Sequence, residues 1–326
     1  MAEALPDLID HPSAWEAARI GGREAFTHRL SAAQVDALHA LADRTRDRAP
    51  DAITRADFSH PLIDDLMRAA RAQLLDGYGA IILSGLPMDS VDLDLFTRIH
   101  WGLGTHLGQG AVQSARGDRI GHVRREEGST RGYTTDVELR PHTDFHEIMS
   151  LAAYSAPESG GVSGLVSGLA IHNRIARERP DLLPALYEGF WHISPITRTR
   201  SSGKVPIFSQ VKGRWSCYYH SIFLLWAARD MGVAVPSALQ EAMDLFNRFT
   251  QDESLAASFT LEPGEQLFWH NWTNLHSRTA FQDSETKKRL LLRLWLNVPD
   301  GRPVVPALAE RAIMTDRDHE TSMAGA

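Results

Sequence analysis

From Pro141 onward the chain breaks into short apolar runs separated by turn residues, and this rhythm limits the fold more than any other feature. The runs expected to be strands are 145–154, 190–193, 205–211, 215–219, 258–261, 265–270 and 289–296, with one helix, 237–250, among them. Many short strands divided by turn signals form a barrel or a sandwich. The preceding part reads differently. Apolar residues at helical spacing predict helices over 31–49, with Ser31 as N-cap, over 61–75 and over 91–103. A single apolar strand, 78–83, sits between the last two and is closed by Gly85-Leu86-Pro87. Segment 104–140 loses its periodicity and holds a charged stretch, Arg124 to Ser129, that reads as a solvated loop or a lid. The tail after Val305 is expected to fray.

Composition narrows the partners. With 43% hydrophobic and 23% charged residues the chain is globular and large enough for a substantial core. A net charge of −7 argues against general nucleic-acid or acidic-membrane binding, which need a basic face. Cys217 is the only cysteine, so no internal disulfide is implied. No apolar run nears the ~20 residues of a membrane helix, and Met1 to Pro12 lacks the pattern of a signal peptide. A cytoplasmic protein acting on a small molecule is the expectation, and homo-oligomer formation stays open.

Three features carry chemistry. In Pro141-His142-Thr143-Asp144, residues two apart in an extended segment share a side, so His142 and Asp144 present an imidazole and a carboxylate to one point. His276 follows the turn-rich stretch Asn271 to Asn274, and His146 and His270 compete with it as further candidates. In Lys288-Arg289-Leu290-Leu291-Leu292-Arg293-Leu294-Trp295-Leu296, a strand would turn the leucines at 290, 292 and 294 outward against helices and both arginines inward. Buried arginine needs an anion. Two histidines, one carboxylate and an anion-binding arginine are the inventory of a facial-triad iron(II) oxygenase.

Several segments in fixed order resemble the TauD/TfdA (taurine dioxygenase / clavaminate synthase-like) family: residues 78–87, 139–144, 159–163, 178–183, 261–265 and 276–281, within a span of about 77–303. The resemblance implies a double-stranded β-helix (jelly-roll) core flanked by helices, of mainly-β or α+β class. It implies one catalytic domain over 1–326, with a helical flank to residue 76, the core over 77–303 and a tail from 304. It implies His142, Asp144 and His276 as iron ligands, and 2-oxoglutarate and dioxygen as co-substrates. It gives Arg289 the far carboxylate of 2-oxoglutarate, Arg293 the near carboxylate or an anionic group of the substrate, and Ser163 the place of a co-substrate-binding threonine. The implied reaction oxidises, most simply hydroxylates, an aliphatic C–H bond of a small molecule such as an amino acid or a secondary-metabolism intermediate. Desaturation and cyclisation start the same way. Phe145, His146, Tyr133, Arg200 and Trp272 are substrate-pocket candidates by closeness to the motifs. A non-catalytic metal- or ligand-binding jelly roll would need an incomplete triad or a missing arginine, and a zinc hydrolase would leave the inward arginines unexplained.

Overall fold

The computed structural model describes residues 8–114, 117–129, 132–194 and 198–312. In chain order the first part supplies α1 (Ala17–Ile20), β1 (Thr27–Arg29), α2 (Ala32–Arg44), α3 (Pro61–Leu75), β2 (Ala80–Ser84) and α4 (Leu93–Thr105). Then come β3 (Gln109–Gly110), β4 (Gly121–Val123), β5 (Leu139–His142), β6 (Ile148–Ser155), β7 (Ser159–Gly160), β8 (Ser163–Ser167), α5 (Gly168–Glu178) and α6 (Leu183–Glu188). The last part holds β9 (Phe208–Val211), β10 (Arg214–Cys217), α7 (Ser221–Met231), α8 (Ser237–Thr250), β11 (Ala256–Phe259), β12 (Gln266–His270), β13 (Asn274–Arg278), β14 (Phe281–Gln282), β15 (Leu290–Asn297) and α9 (Pro306–Ala312).

The strands build two main sheets. The larger runs β1-β2-β12-β6-β15-β3, with β4 also on β15, and the smaller runs β11-β8-β13-β5. Apolar side chains between them include Ile82, Met149, Leu267, Trp269, Leu291 and Trp295 from the larger sheet and Leu165, Ala257 and Phe259 from the smaller. Helices cover both outer faces. The outer residues of the larger sheet, Leu292, Leu294 and Leu296 among them, pack with α2, α3 and α4. Val166 and Leu275, on the outer side of the smaller sheet, pack with α5, α6 and α8. The jelly-roll core with flanking helices is therefore as the sequence implied.

β15 shows why the alternation was decisive. Leu292, Leu294 and Leu296 are at most 1% exposed on one side, and Leu291, Arg293 and Trp295 lie on the other. Gly104 lets α4 touch this strand, since a Cβ there would come within 2.6 Å of Leu294 Cδ1.

Some boundaries moved. Ser31 does cap α2, in a reciprocal capping box with Gln34, but the helix stops at Arg44, not residue 49. The buried Arg98 of α4 explains this: its Nη1 donates to the carbonyls of Thr45 and Arg48 at 2.6 and 2.7 Å, so the backbone ends its helix on a side-chain donor. Segment 190–193 forms isolated bridges only, Phe190 to Val205 and Ile193 to Arg200. The expected fraying after Val305 does not hold for α9, where Leu308 is 1% and Arg311 2% exposed; residues 313–326 lie outside the described ones. Cys217 is fully buried, its sulfur so close to Gly168 that a Cβ there would lie 2.5 Å away, and burial pushes its thiol pKa up.

His100 is buried in the helix-facing core. Its Nδ1–H donates to Gln266 Oε1 at 2.9 Å and its Nε2 accepts from the Ser150 hydroxyl at 3.0 Å. Burial pushes its pKa down to about 4. The unfolded chain takes up this proton near the ordinary histidine value and the folded chain only near 4, so stability falls as pH drops through that window. The contribution is roughly 3 kcal/mol across it. The expected outcome for His100→Gln is a urea-unfolding free energy less sensitive to pH between 7 and 5 than that of the unaltered protein. Parallel profiles would remove His100 as a source of acid sensitivity.

Candidate active site

Two strands of the smaller sheet place the first two functional side chains. β5 is its edge strand, which is where Pro141 is tolerated. The antiparallel register sets His276 of β13 directly opposite His142 of β5. Directly opposed residues on one face of a sheet are near neighbours, and here the imidazole centroids are 4.3 Å apart.

Asp144 joins them after β5 has ended, so its position is not a property of a strand. Two pins hold the turn. The Thr143 N–H donates to the Tyr219 carbonyl at 2.8 Å and its Oγ1 accepts from the Tyr219 N–H at 2.9 Å. The Asn271 side chain accepts from the Asp144 N–H at 3.1 Å and donates to the carbonyls of Asp144 and His146 at 2.9 and 2.8 Å. Thr143 and Asn271 are both fully buried. As a result His142 Nε2 lies 3.8 Å and His276 Nε2 3.9 Å from the Asp144 carboxylate.

Electrostatics favour the metal-binding forms of Asp144 and His276. Burial alone would raise the Asp144 pKa, but the fields of His276, His142, Arg293 and His146 outweigh it and hold the carboxyl below its ordinary value. Burial, reinforced by His142, pushes His276 down to about 3, so its imidazole is neutral. His142 Nδ1 lies 2.7 Å from the Arg140 carbonyl, so an N–H faces it there and Nε2 is the ring nitrogen turned toward Asp144. Each side chain keeps about a sixth of its surface exposed, 18%, 15% and 16%, so the cluster opens to a cleft on one side. Two imidazole nitrogens and a carboxylate oxygen within 4.8 Å of one another, with one side open, suit a divalent iron that keeps positions for other ligands.

The competing histidines are engaged elsewhere. His270 Nε2 faces Glu147 Oε1 at 3.1 Å, and burial, aided by Arg302, pushes its pKa down to about 4. His146 Nδ1 meets Asn297 Oδ1 at 2.8 Å, beside Trp295.

Both arginines enter the interior. Arg293, 7% exposed, donates from Nε to Gln113 Oε1 at 2.7 Å, while its guanidinium lies over the rings of Tyr133 and Trp295 at 4.3 and 4.5 Å. Arg289, 3% exposed, precedes β15 and lies 5.1 Å from the Phe281 ring centre. Burial, then the nearby charge of Arg278, lowers its pKa to about 9. Gly161 (φ +70°) makes room for it, since a Cβ there would come within 3.3 Å of Arg289 Nε. Ser163 follows as the first residue of β8, 5% exposed and opposite Arg278.

The substrate-pocket candidates separate into two groups. Phe145 stacks on Phe223 at 5.7 Å and meets Trp295 edge-on, and Tyr133 covers Arg293, so both are close to the cleft. Arg200 is exposed. Trp272 packs with Val205, Tyr218 and Leu308 of the C-terminal helix. Sequence reasoning missed Thr143, Asn271, Gln113 and Arg278, and also His220, whose ring lies 5.1 Å from His142 and stacks on Phe223 at 3.5 Å. It missed Arg311 as well, which approaches Phe145 at 5.0 Å from α9. Only Arg278 left a signal, as a second cation two residues beyond His276.

Residues 39–295 match the family described as taurine catabolism dioxygenase TauD, TfdA family. The chain belongs to this family. It is a non-haem enzyme that uses iron(II), 2-oxoglutarate and dioxygen. FR-33289 synthase of Streptomyces rubellomurinus is 26% identical, over 95% of this chain and 96% of that protein. The taurine hydroxylase-like protein SAT17 of Stachybotrys chartarum is also 26% identical, over 90% of this chain and 80% of its own length. Among solved structures, asparagine oxygenase in complex with Fe(II), 2S,3S-3-hydroxyasparagine and succinate is similar in fold, with a TM-score of 0.68 at 16% identity over 83% of this chain and 93% of that one. The oxygenase OrfP in complex with Fe and alpha-ketoglutaric acid has a TM-score of 0.63 at 15% identity, over 83% and 94%. The family match begins at residue 39, within the helical part that precedes residue 77.

Asn271→Ala should leave the dioxygenase folded but release the Asp144 turn. Supporting residues of this kind typically change metal affinity by about 10- to 100-fold. The expected outcome is iron(II) affinity weakened within that range in an anaerobic titration, with near-unaltered secondary structure. Unchanged affinity would show that the Thr143 pin suffices alone.

Proposed function

We propose that His142, Asp144 and His276 hold the iron of this dioxygenase and that Arg289, with Ser163, receives the far carboxylate of 2-oxoglutarate. The observation that carries this is the convergence of two imidazoles and a carboxylate on one point, in a chain that also buries a guanidinium, that of Arg289, whose Nη1 has no hydrogen-bond partner among the described residues. Iron(II), when bound, supplies the centre at which dioxygen and 2-oxoglutarate are converted with release of succinate and carbon dioxide. The protein's part is placement. Arg289 offers a fork of donors to a carboxylate, which a lysine cannot reproduce. Arg293, packed over Trp295 on the interior side of β15, serves the near carboxylate or an anionic group of the substrate. Gln113, Tyr133 and Trp295 hold it in place. Phe145, Phe223 and Trp269 keep one wall of the cleft dry.

The substrate in this reading is a small molecule hydroxylated at an aliphatic carbon, an amino acid or natural-product intermediate. Its support is the company the chain keeps: an asparagine oxygenase, OrfP bound to hydroxylated arginine, and FR-33289 synthase. The whole chain is read as one catalytic domain working in the cytoplasm.

Under air, with iron(II) and ascorbate, succinate should rise when an accepted amino acid or small anion is supplied. His276→Ala should lose turnover and bind iron(II) weakly; full activity would transfer the role to another side chain. Arg289→Lys should raise the 2-oxoglutarate concentration needed by roughly 10- to 100-fold, the weight of a charge-assisted hydrogen bond. An unchanged requirement would place the far carboxylate elsewhere.

A further inference from the structure

Arg278 ends β13, two places beyond His276. Residues two apart on a strand share a face and are separated by roughly 7 Å along it. Arg278 therefore lies on the same face of β13 as His276, opposite Ser163, and it is 5% exposed. Its Nη2 donates to the carbonyls of Thr135 and Val137 at 2.9 and 2.5 Å. Its Nε and Nη1 are buried and have no partner among the described residues.

Arg289 reaches the same place from the other sheet. The Phe281 ring lies 4.9 Å from the Arg278 guanidinium and 5.1 Å from that of Arg289. Arg289 Nη1 likewise has no partner among the described residues. Two guanidinium groups thus share one ring with three nitrogens left without an acceptor. The carboxylates nearby are committed: Asp136 is paired with Arg125, and Asp283 accepts the Arg289 backbone N–H at 2.9 Å. Leaving buried charge-bearing donors unmatched is strongly unfavourable, and two like charges side by side add repulsion. A carboxylate entering between them removes both penalties together.

We infer that Arg278 is a second cationic contact for the far carboxylate of the co-substrate, closing on it from the side opposite Arg289. This rests on the reading that Arg289 receives that carboxylate. The same contact ties the co-substrate to the wall of the cleft. Thr135 and Val137 take the remaining Arg278 donor, and Tyr133 in the same stretch covers Arg293.

The experiment is anaerobic calorimetry on the iron(II)-loaded enzyme with two titrants, 2-oxoglutarate and 2-oxovalerate, which has the same chain length but no far carboxylate. Arg278→Met should weaken 2-oxoglutarate by roughly 10- to 100-fold and leave 2-oxovalerate within about twofold. Arg278→Lys keeps the charge without the fork; it should recover part of the loss, and it carries the test if the methionine variant does not fold. An equal loss for both titrants would make Arg278 a structural residue, and no loss for 2-oxoglutarate would remove it from the site; either overturns the inference alone. If the unaltered enzyme fails to prefer 2-oxoglutarate over 2-oxovalerate, the Arg289 reading falls with it.

Discussion

The register between β5 and β13 is the constraint on which the rest of the site depends. Side chains alternate along a strand, so slipping this pair by one residue would send His276 to the outer face among the helices. The register is held from both sides. β13 is paired with β8 on its other edge over five residues, Asn274 to Arg278. Leu275, on the opposite face from His276, is fully buried in the helical layer. The apolar packing that covers the sheet thus also fixes the direction of a polar side chain on the far face.

Polar groups inside the barrel are kept in place by partners drawn from distant parts of the chain. Asn271 and Tyr219 hold the turn that carries Asp144, and Gln113 holds Arg293. These contacts span more than a hundred residues for Asn271 and Gln113. They give the cleft a rigid frame without using the groups that face the chemistry. The guanidinium cluster around Phe281 is of another kind, because its charges are placed without full compensation. Such a cluster lowers the stability of the empty protein and favours a negatively charged guest, which is how a binding site stores its selectivity.

How much was legible in the chain varied with the physics of each element. α3 and α8 fall where the helical spacing put them, Pro61–Leu75 and Ser237–Thr250, because each has a sharp apolar stripe and a proline at or just before its start. β15 was legible because alternating leucine and arginine has one sensible arrangement. α7 was missed because Ile222, Leu225 and Trp226 blur its stripe. β13 was missed because Asn-Leu-His-Ser-Arg looks like a loop and becomes a strand only through neighbours on both edges. His142 and Asp144 could be paired from residue types and spacing, while His276 was singled out from His146 and His270 only by the family resemblance. The means by which the three assemble could not be read, since a buried asparagine that bonds to a backbone over a hundred residues away leaves no local pattern.

The setting of Cys217 bears on durability. Chemistry with reduced iron and oxygen generates stray oxidants, and a reactive sulfur is normally an early casualty. The oxidation of cysteine proceeds through its thiolate and needs access. Here the single thiol is walled in against Gly168, with burial holding its proton on. Loss of activity during prolonged turnover should therefore not be a matter of sulfenic acid formation or of chains cross-linked through disulfides, and thiol reductants should do little to restore it.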